Sequence, residues 1–170
     1  IRWIRALRGE PSVLVNHYKL ALGDCYIYPA ESRGEFEHRL LADIEAGLRV
    51  VVACMSRRWG AGLRDVVTHK FPKKTVIFID RHSENIDVAG WGKADLLIYS
   101  PTITCGVSFD EKHFDKFYGM TTLTSCCIYD FAQMTRRVRH LKQKQAHILL
   151  PKPRNFQSRV GESKWRRLYQ

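Results

Sequence analysis

Four apolar runs most constrain the fold of this chain: RVVVACM (Arg49–Met55), TVIFID (Thr75–Asp80), ADLLIYS (Ala94–Ser100) and AHILLP (Ala146–Pro151). Each is nearly continuous rather than alternating, the pattern of strands buried on both faces. Helical patterns separate them. ESRGEFEHRLLADIEAG places Phe36, Leu40, Leu41 and Ile44 at helical spacing, with Gly47 as a stop. SRRWGAGLRDVVTHKF looks helical from Ser56 and is ended by Pro72. A third helix is expected from Thr124 to about Lys142. Further short strands are expected at Ser12–Tyr18, Cys25–Pro29 and in KFYGMT. Strands alternating with helices predict an α/β fold: three layers, a mostly parallel central sheet and right-handed crossovers.

The chain has 170 residues, 45% of them hydrophobic, which suits one globular domain with a real core. Its apolar runs are strand-length, too short to span a bilayer, and no membrane role is expected. It carries no signal-peptide pattern and opens at Ile1, so a piece of a longer protein is expected. The domain is expected to fill 1–151. From Lys152 the composition shifts to six Lys or Arg against one acidic residue, a basic tail or the start of a further element. The five cysteines are odd in number and form no CxxC, which points to a reducing intracellular compartment and no zinc site. A net charge of +11 favours a polyanionic partner, nucleic acid first.

Ligands of parallel sheets sit at the carboxyl ends of the strands. After ADLLIYS comes SPTITCGVSFD, where the hydroxyls of Ser100, Thr102, Thr104 and Ser108 surround Gly106. Hydroxyls and free backbone N–H groups suit phosphate oxygens, although such a turn is by itself often only a turn. One strand later stands FAQMTRRVRH, with Gln133, Arg136, Arg137, Arg139 and His140. On a helix, Gln133, Arg137 and His140 would share one face. An isolated run of this kind is ordinarily a solvated basic face. GWGK (Gly90–Lys93) lacks the spacing of a phosphate loop, and His17 and His113 have no partner at metal spacing. Trp59 and Trp91 could stack bases, although packing under the sheet edge is the first expectation. Asp80, Arg81 and His82 end a strand on the ligand side, as a nucleic-acid contact or a salt-bridged loop.

Taken together, the hydroxyl-rich loop and the arginine segment resemble motifs V and VI of superfamily 2 helicases, in the second RecA-like domain. There the last motif reads Q-x-x-G-R-x-x-R. Gln133 and Arg137 match it; Arg136 replaces the glycine, His140 stands at the last arginine, and Arg139 is expected to take that role. WGKADLLIYSPTITCGVSFDEKHFDKFYG and the Arg-Val-Arg ending resemble, more narrowly, the replicative helicases related to the herpesvirus origin-binding protein, found in large DNA viruses and virus-like transposons. The likeness runs from about Arg49 to Pro151.

The resemblance implies an ATP-dependent helicase motor half in viral or virus-like DNA replication. Arg137 and Arg139 would be arginine fingers, with Gln133 beside them; such fingers contribute roughly 10³ to 10⁵ in rate. Gly106, Ser108 and Arg136 would face the nucleotide. Thr102 and Thr104 would bridge between the DNA backbone and the nucleotide cleft, and Ser56 and Arg57 would hold a strand phosphate. ATP and Mg²⁺ would be held mainly by the first RecA-like domain of the same chain, since neither a Walker A loop nor an Asp-Glu-x-His element occurs here. Two other classes stay open: a silent nucleic-acid-binding module, and a DNA breakage-and-joining enzyme with Tyr169 as nucleophile. The second lacks a convincing His-x-x-Arg partner.

Overall fold

The computed structural model describes residues 23–83, 86–103 and 107–152. The strand expected at Ser12–Tyr18, the tail beyond Lys152, and Thr104 and Gly106 lie outside them.

The short segments at Cys25–Pro29 and KFYGMT become strands β1 (Asp24–Tyr28) and β5 (Lys116–Met120), and the four apolar runs become β2 (Val50–Cys54), β3 (Val76–Ile79), β4 (Leu96–Tyr99) and β6 (Gln145–Leu149). β3, at the sheet edge, is only half-buried along most of its length rather than buried on both faces. They form one six-stranded sheet in the order β1-β6-β5-β2-β4-β3. Every neighbouring pair is parallel. β2, β4 and β5, at the centre, are buried along their whole length, which explains why they lack alternation.

The pleat divides the core in two. Val50, Val52 and Cys54 of β2 point to one face, where Phe36, Leu40 and Ile44 of helix α1 (Arg33–Glu45) cover them. These three α1 residues are fully buried. Each contributes about 1.5–3 kcal/mol through apolar burial, so truncating Leu40 would cost more than any surface change on α1. Helix α2 (Arg57–Lys70) shares that face, and Ser56 caps it by accepting from the Trp59 N–H at 3.3 Å. Gly60 lets α2 approach closely: a Cβ there would sit 2.7 Å from Cys54 Sγ.

Val51 and Ala53 point to the opposite face, which carries shorter pieces. These are a 3₁₀ turn at Ala89–Lys93 with Trp91 fully buried, the loop residues Ile103, Phe109 and Phe114, and helix α3 (Ile128–Met134). Trp91 stacks on Tyr99 with centroids 6.2 Å apart, so it packs as expected.

One expected element is corrected. The helix foreseen from Thr124 to about Lys142 is only the seven residues of α3. It begins after Cys127, whose N–H donates to Asp130 at 3.3 Å. It ends because Val138 and Leu141 are drawn into the core and Val138 forms a parallel bridge with Phe109. That tertiary pairing overrides the helical pattern. Gln133, Arg137 and His140 therefore do not share a helical face: Arg137 to His140 lie beyond the helix end.

Candidate nucleotide and nucleic-acid edge

The carboxyl ends of the parallel strands gather most of the candidate residues along one edge. Ser56 follows β2, Asp80 follows β3, Ser100 and Thr102 follow β4, and Thr121 follows β5. α3 then leads into the arginine turn.

That turn is joined to the loop after β4 by several bonds. Phe109 N–H donates to Arg137 O at 2.7 Å, and Arg139 N–H donates to Phe109 O at 3.1 Å. Arg137 Nη1 donates to Val107 O at 2.9 Å, while its buried Nε has no hydrogen-bond partner among the described residues. Tyr99, buried in β4, donates its hydroxyl to Met134 O at 2.7 Å and so ties down the end of α3. Burial raises the Tyr99 hydroxyl well above the ordinary tyrosine range, so it stays a donor. Gly119 completes the clamp, because a Cβ there would lie 2.6 Å from Phe131 Cζ of α3.

The charges differ in how far they are committed. Arg139 is 3.3 Å from Asp110, which also accepts from Ser108 Oγ at 3.2 Å. Arg136 and Gln133 are exposed, and Arg136 makes no ion pair among the described residues. Arg57 donates to Asp80, whose carboxylate is held below its usual range first by that bond and is further favoured by the His82 N–H at 2.9 Å. Asp80 thus belongs to a salt-bridged loop, with its own N–H donating to Ser83 Oγ at 3.1 Å. Ser100 Oγ and Thr102 Oγ1 share a hydrogen bond of 3.0 Å. His113 is a structural residue, its Nε2 lying 2.7 Å from Ala94 O.

Among the sequence-derived sites, Arg137, Arg139 and Ser108 come together with the Phe109 bridge, and Ser56 and Arg57 stand together at the start of α2. Tyr99, Val107 and Asp110 were missed. A lone tyrosine inside an apolar strand was the available signal for Tyr99, since a buried hydroxyl must find an acceptor. Nothing local marked Val107, whose part is played by its backbone carbonyl. Among the described residues no group of three or more His, Cys, Asp or Glu could hold a metal, and no helix is long and apolar enough to cross a membrane.

A profile of the family described as "Origin of replication binding protein" matches residues 13–152. A protein of African swine fever virus named for a helicase/primase complex is 33% identical over 164 residues, covering 90% of this chain and 15% of its own length. An Acanthamoeba polyphaga mimivirus protein named for replication-origin binding is 34% identical over 162 residues, covering 89% of this chain and 20% of its own length. The chain thus spans only a small part of these relatives. Among solved structures, domain 2 of the DEAD-box helicase Mss116p, bound to an RNA duplex, matches with a TM-score of 0.51 at 12% identity, over 76% of this chain and 54% of that one. The C-terminal part of the Fun30 ATPase domain also gives 0.51 at 12% identity, over 68% and 39%. These two likenesses bear on fold, which is the α/β, RecA-like arrangement of helicase domains. With a parallel six-stranded sheet and a family match spanning most of its length, the chain belongs to the origin of replication binding protein family, with relatives in large DNA viruses.

Proposed function

We propose that this chain is the second motor half of an ATP-dependent DNA helicase working in viral or virus-like DNA replication. The observation that carries the reading is the bonding of the arginine turn to the loop after β4, through the Phe109–Val138 bridge and Arg137 Nη1. Ser108 and the arginine turn, both expected on the nucleotide side, are thereby held together, and Thr102 at the start of the same loop would carry the nucleic-acid side of the coupling.

Arg137 has the chemistry for a phosphate. One guanidinium nitrogen is anchored to Val107 O, and Nε has no partner among the described residues. A cation fixed in this way, placed where charge redistributes, needs little reorganisation during reaction. Arg136 adds exposed charge, and Arg139 would exchange Asp110 for a phosphate oxygen. Neither a Walker A loop nor an Asp-Glu-x-His element stands in the sequence, and the described residues hold no group of three or more metal-ligating side chains. ATP and its metal would therefore sit mainly on a partner RecA-like domain, ATP supplying the free energy of phosphoryl transfer. Thr102, with the Ser56 and Arg57 start of α2, would hold strand phosphates.

A second reading, a silent nucleic-acid-binding module, is favoured by the pairing of Arg139 with Asp110 and of Arg57 with Asp80. DNA-stimulated ATP turnover of the longer protein, wild type beside Arg137→Ala, separates the two. Loss of roughly two decades or more with ATP binding kept supports the motor. Unchanged turnover leaves the binding module.

A further inference from the structure

We propose that the groove between α1 and α2 takes an unpaired nucleobase of a single-stranded nucleic acid; this rests on the nucleic-acid reading of the Ser56 edge. The groove measures about 510 Å³, within the roughly 300–1,000 Å³ of small-ligand sites. It opens where Ser56 starts α2, and Met120, at the carboxyl end of β5, also lines it. A base entering here would stay attached to a strand whose phosphate lies at the Ser56 edge.

The lining suits an aromatic ring joined to an anion. Trp59 is half-buried, and its indole is fixed because Nε1 donates to Glu37 at 2.8 Å. Leu41, Leu63 and Val66 supply apolar walls, and Val66 is 49% exposed with nothing covering it among the described residues. Glu37 is the acidic lining residue, and it is committed twice, to Trp59 and to Arg33 at 2.8 Å. Arg58 has no ion pair among the described residues and remains a free cation beside the mouth. Aromatic surface beside uncompensated positive charge is the arrangement that binds single strands without sequence preference. The same charge disfavours a basic segment as occupant.

Gly62 makes the test clean. It lines the groove, and a Cβ there would meet nothing within 4 Å. Leucine is also the better helix former, so Gly62→Leu adds a bulky side chain on the groove wall at a position whose Cβ is unobstructed. Fluorescence anisotropy would compare a labelled fifteen-residue oligothymidylate with an abasic deoxyribose-phosphate strand of equal length. The wild-type 170-residue chain is expected to prefer the base-bearing strand by roughly 5- to 150-fold, the effect of one stacked base. Gly62→Leu is expected to abolish that preference while leaving affinity for the abasic strand intact.

Equal wild-type affinity for both strands would overturn the proposal, as would a Gly62→Leu variant that keeps the preference. An acidic amphipathic peptide that binds wild type but not Gly62→Leu, with oligothymidylate binding untouched, would assign the groove to a protein segment and overturn it too. Binding of neither strand by wild type would instead remove the nucleic-acid reading on which the inference rests.

Discussion

The sheet carries two clusters of charge, and they are built in opposite ways. At the amino end of β5, Lys116 is 4% exposed and lies 2.9 Å from Asp43 of α1. Asp43 also accepts from Tyr118 Oη at 2.5 Å. Beside them His147 is stacked between Tyr26 and Tyr118, with centroids 4.8 and 4.7 Å away. Its Nδ1 lies 3.0 Å from Tyr28 Oη. At the carboxyl edge, Arg136 is exposed with no ion pair among the described residues, Arg139 is exposed and pairs with Asp110, and Arg137 is half-buried with Nη1 on Val107 O. The buried charges of Lys116 and Asp43 are closed upon each other, although His147 Nε2 beside them has no partner among the described residues. The charge at the other end is largely exposed and only partly paired. Paired burial fixes a fold, whereas exposed cations on an anchored turn suit an anionic ligand.

The contrast can be broken hardest at the buried end. Asp43→Ala leaves the Lys116 ammonium buried without its partner, and is expected to cost about 3–5 kcal/mol in urea unfolding. The same change should leave the charge of the arginine turn untouched.

His147 gives a pH test of the same cluster. Burial, and then the Lys116 ammonium, lower its pKa from 6.5 to about 4. Folded His147 thus stays neutral while the unfolded chain takes up a proton below 6.5. The stabilising difference is complete above pH 6.5 and is lost as pH falls towards 4, by on the order of 3 kcal/mol. Unfolding midpoints should fall across that window and fall less in His147→Gln; parallel curves would contradict the assignment.

A change between the two ends couples them. Gly119→Ala drives a methyl against Phe131 and should cost about 1–3 kcal/mol by overpacking. Because α3 holds the arginine turn, turnover in the longer protein should fall beyond what that stability loss explains. The smallest folding effect belongs to the open end. Arg136→Ala should change stability by no more than about 0.5 kcal/mol. The salt dependence of DNA binding should nevertheless become shallower, by about one unit of slope for each lost phosphate contact.

β2 and β4 were legible because both their faces are buried, which leaves continuous apolar runs in the chain. β5 is equally buried but opens on Lys116 and contains Gly119, so it showed only as a short strand. Ser56 was legible as the start of a helix because capping is a local preference. The end of α3 was not. Arg136 to His140 are compatible with a helix, and the pairing that stops it comes from Phe109, far away in sequence. The Tyr99–Met134 bond is hidden for the same reason. The groove depends on how α1 and α2 pack on the sheet, which no local spacing encodes. Ion pairing likewise separates Arg57, held by Asp80, from its neighbour Arg58, which has no ion pair among the described residues.

The most direct test reads two quantities on one variant of the longer protein, DNA-stimulated ATP turnover and thermal midpoint of Arg137→Ala. Turnover down by roughly two decades or more, with the midpoint nearly unmoved, is what an open, ligand-facing arginine predicts. Turnover within a few-fold of wild type, or a loss that simply follows a collapsed midpoint, would make Arg137 another structural charge and contradict the account.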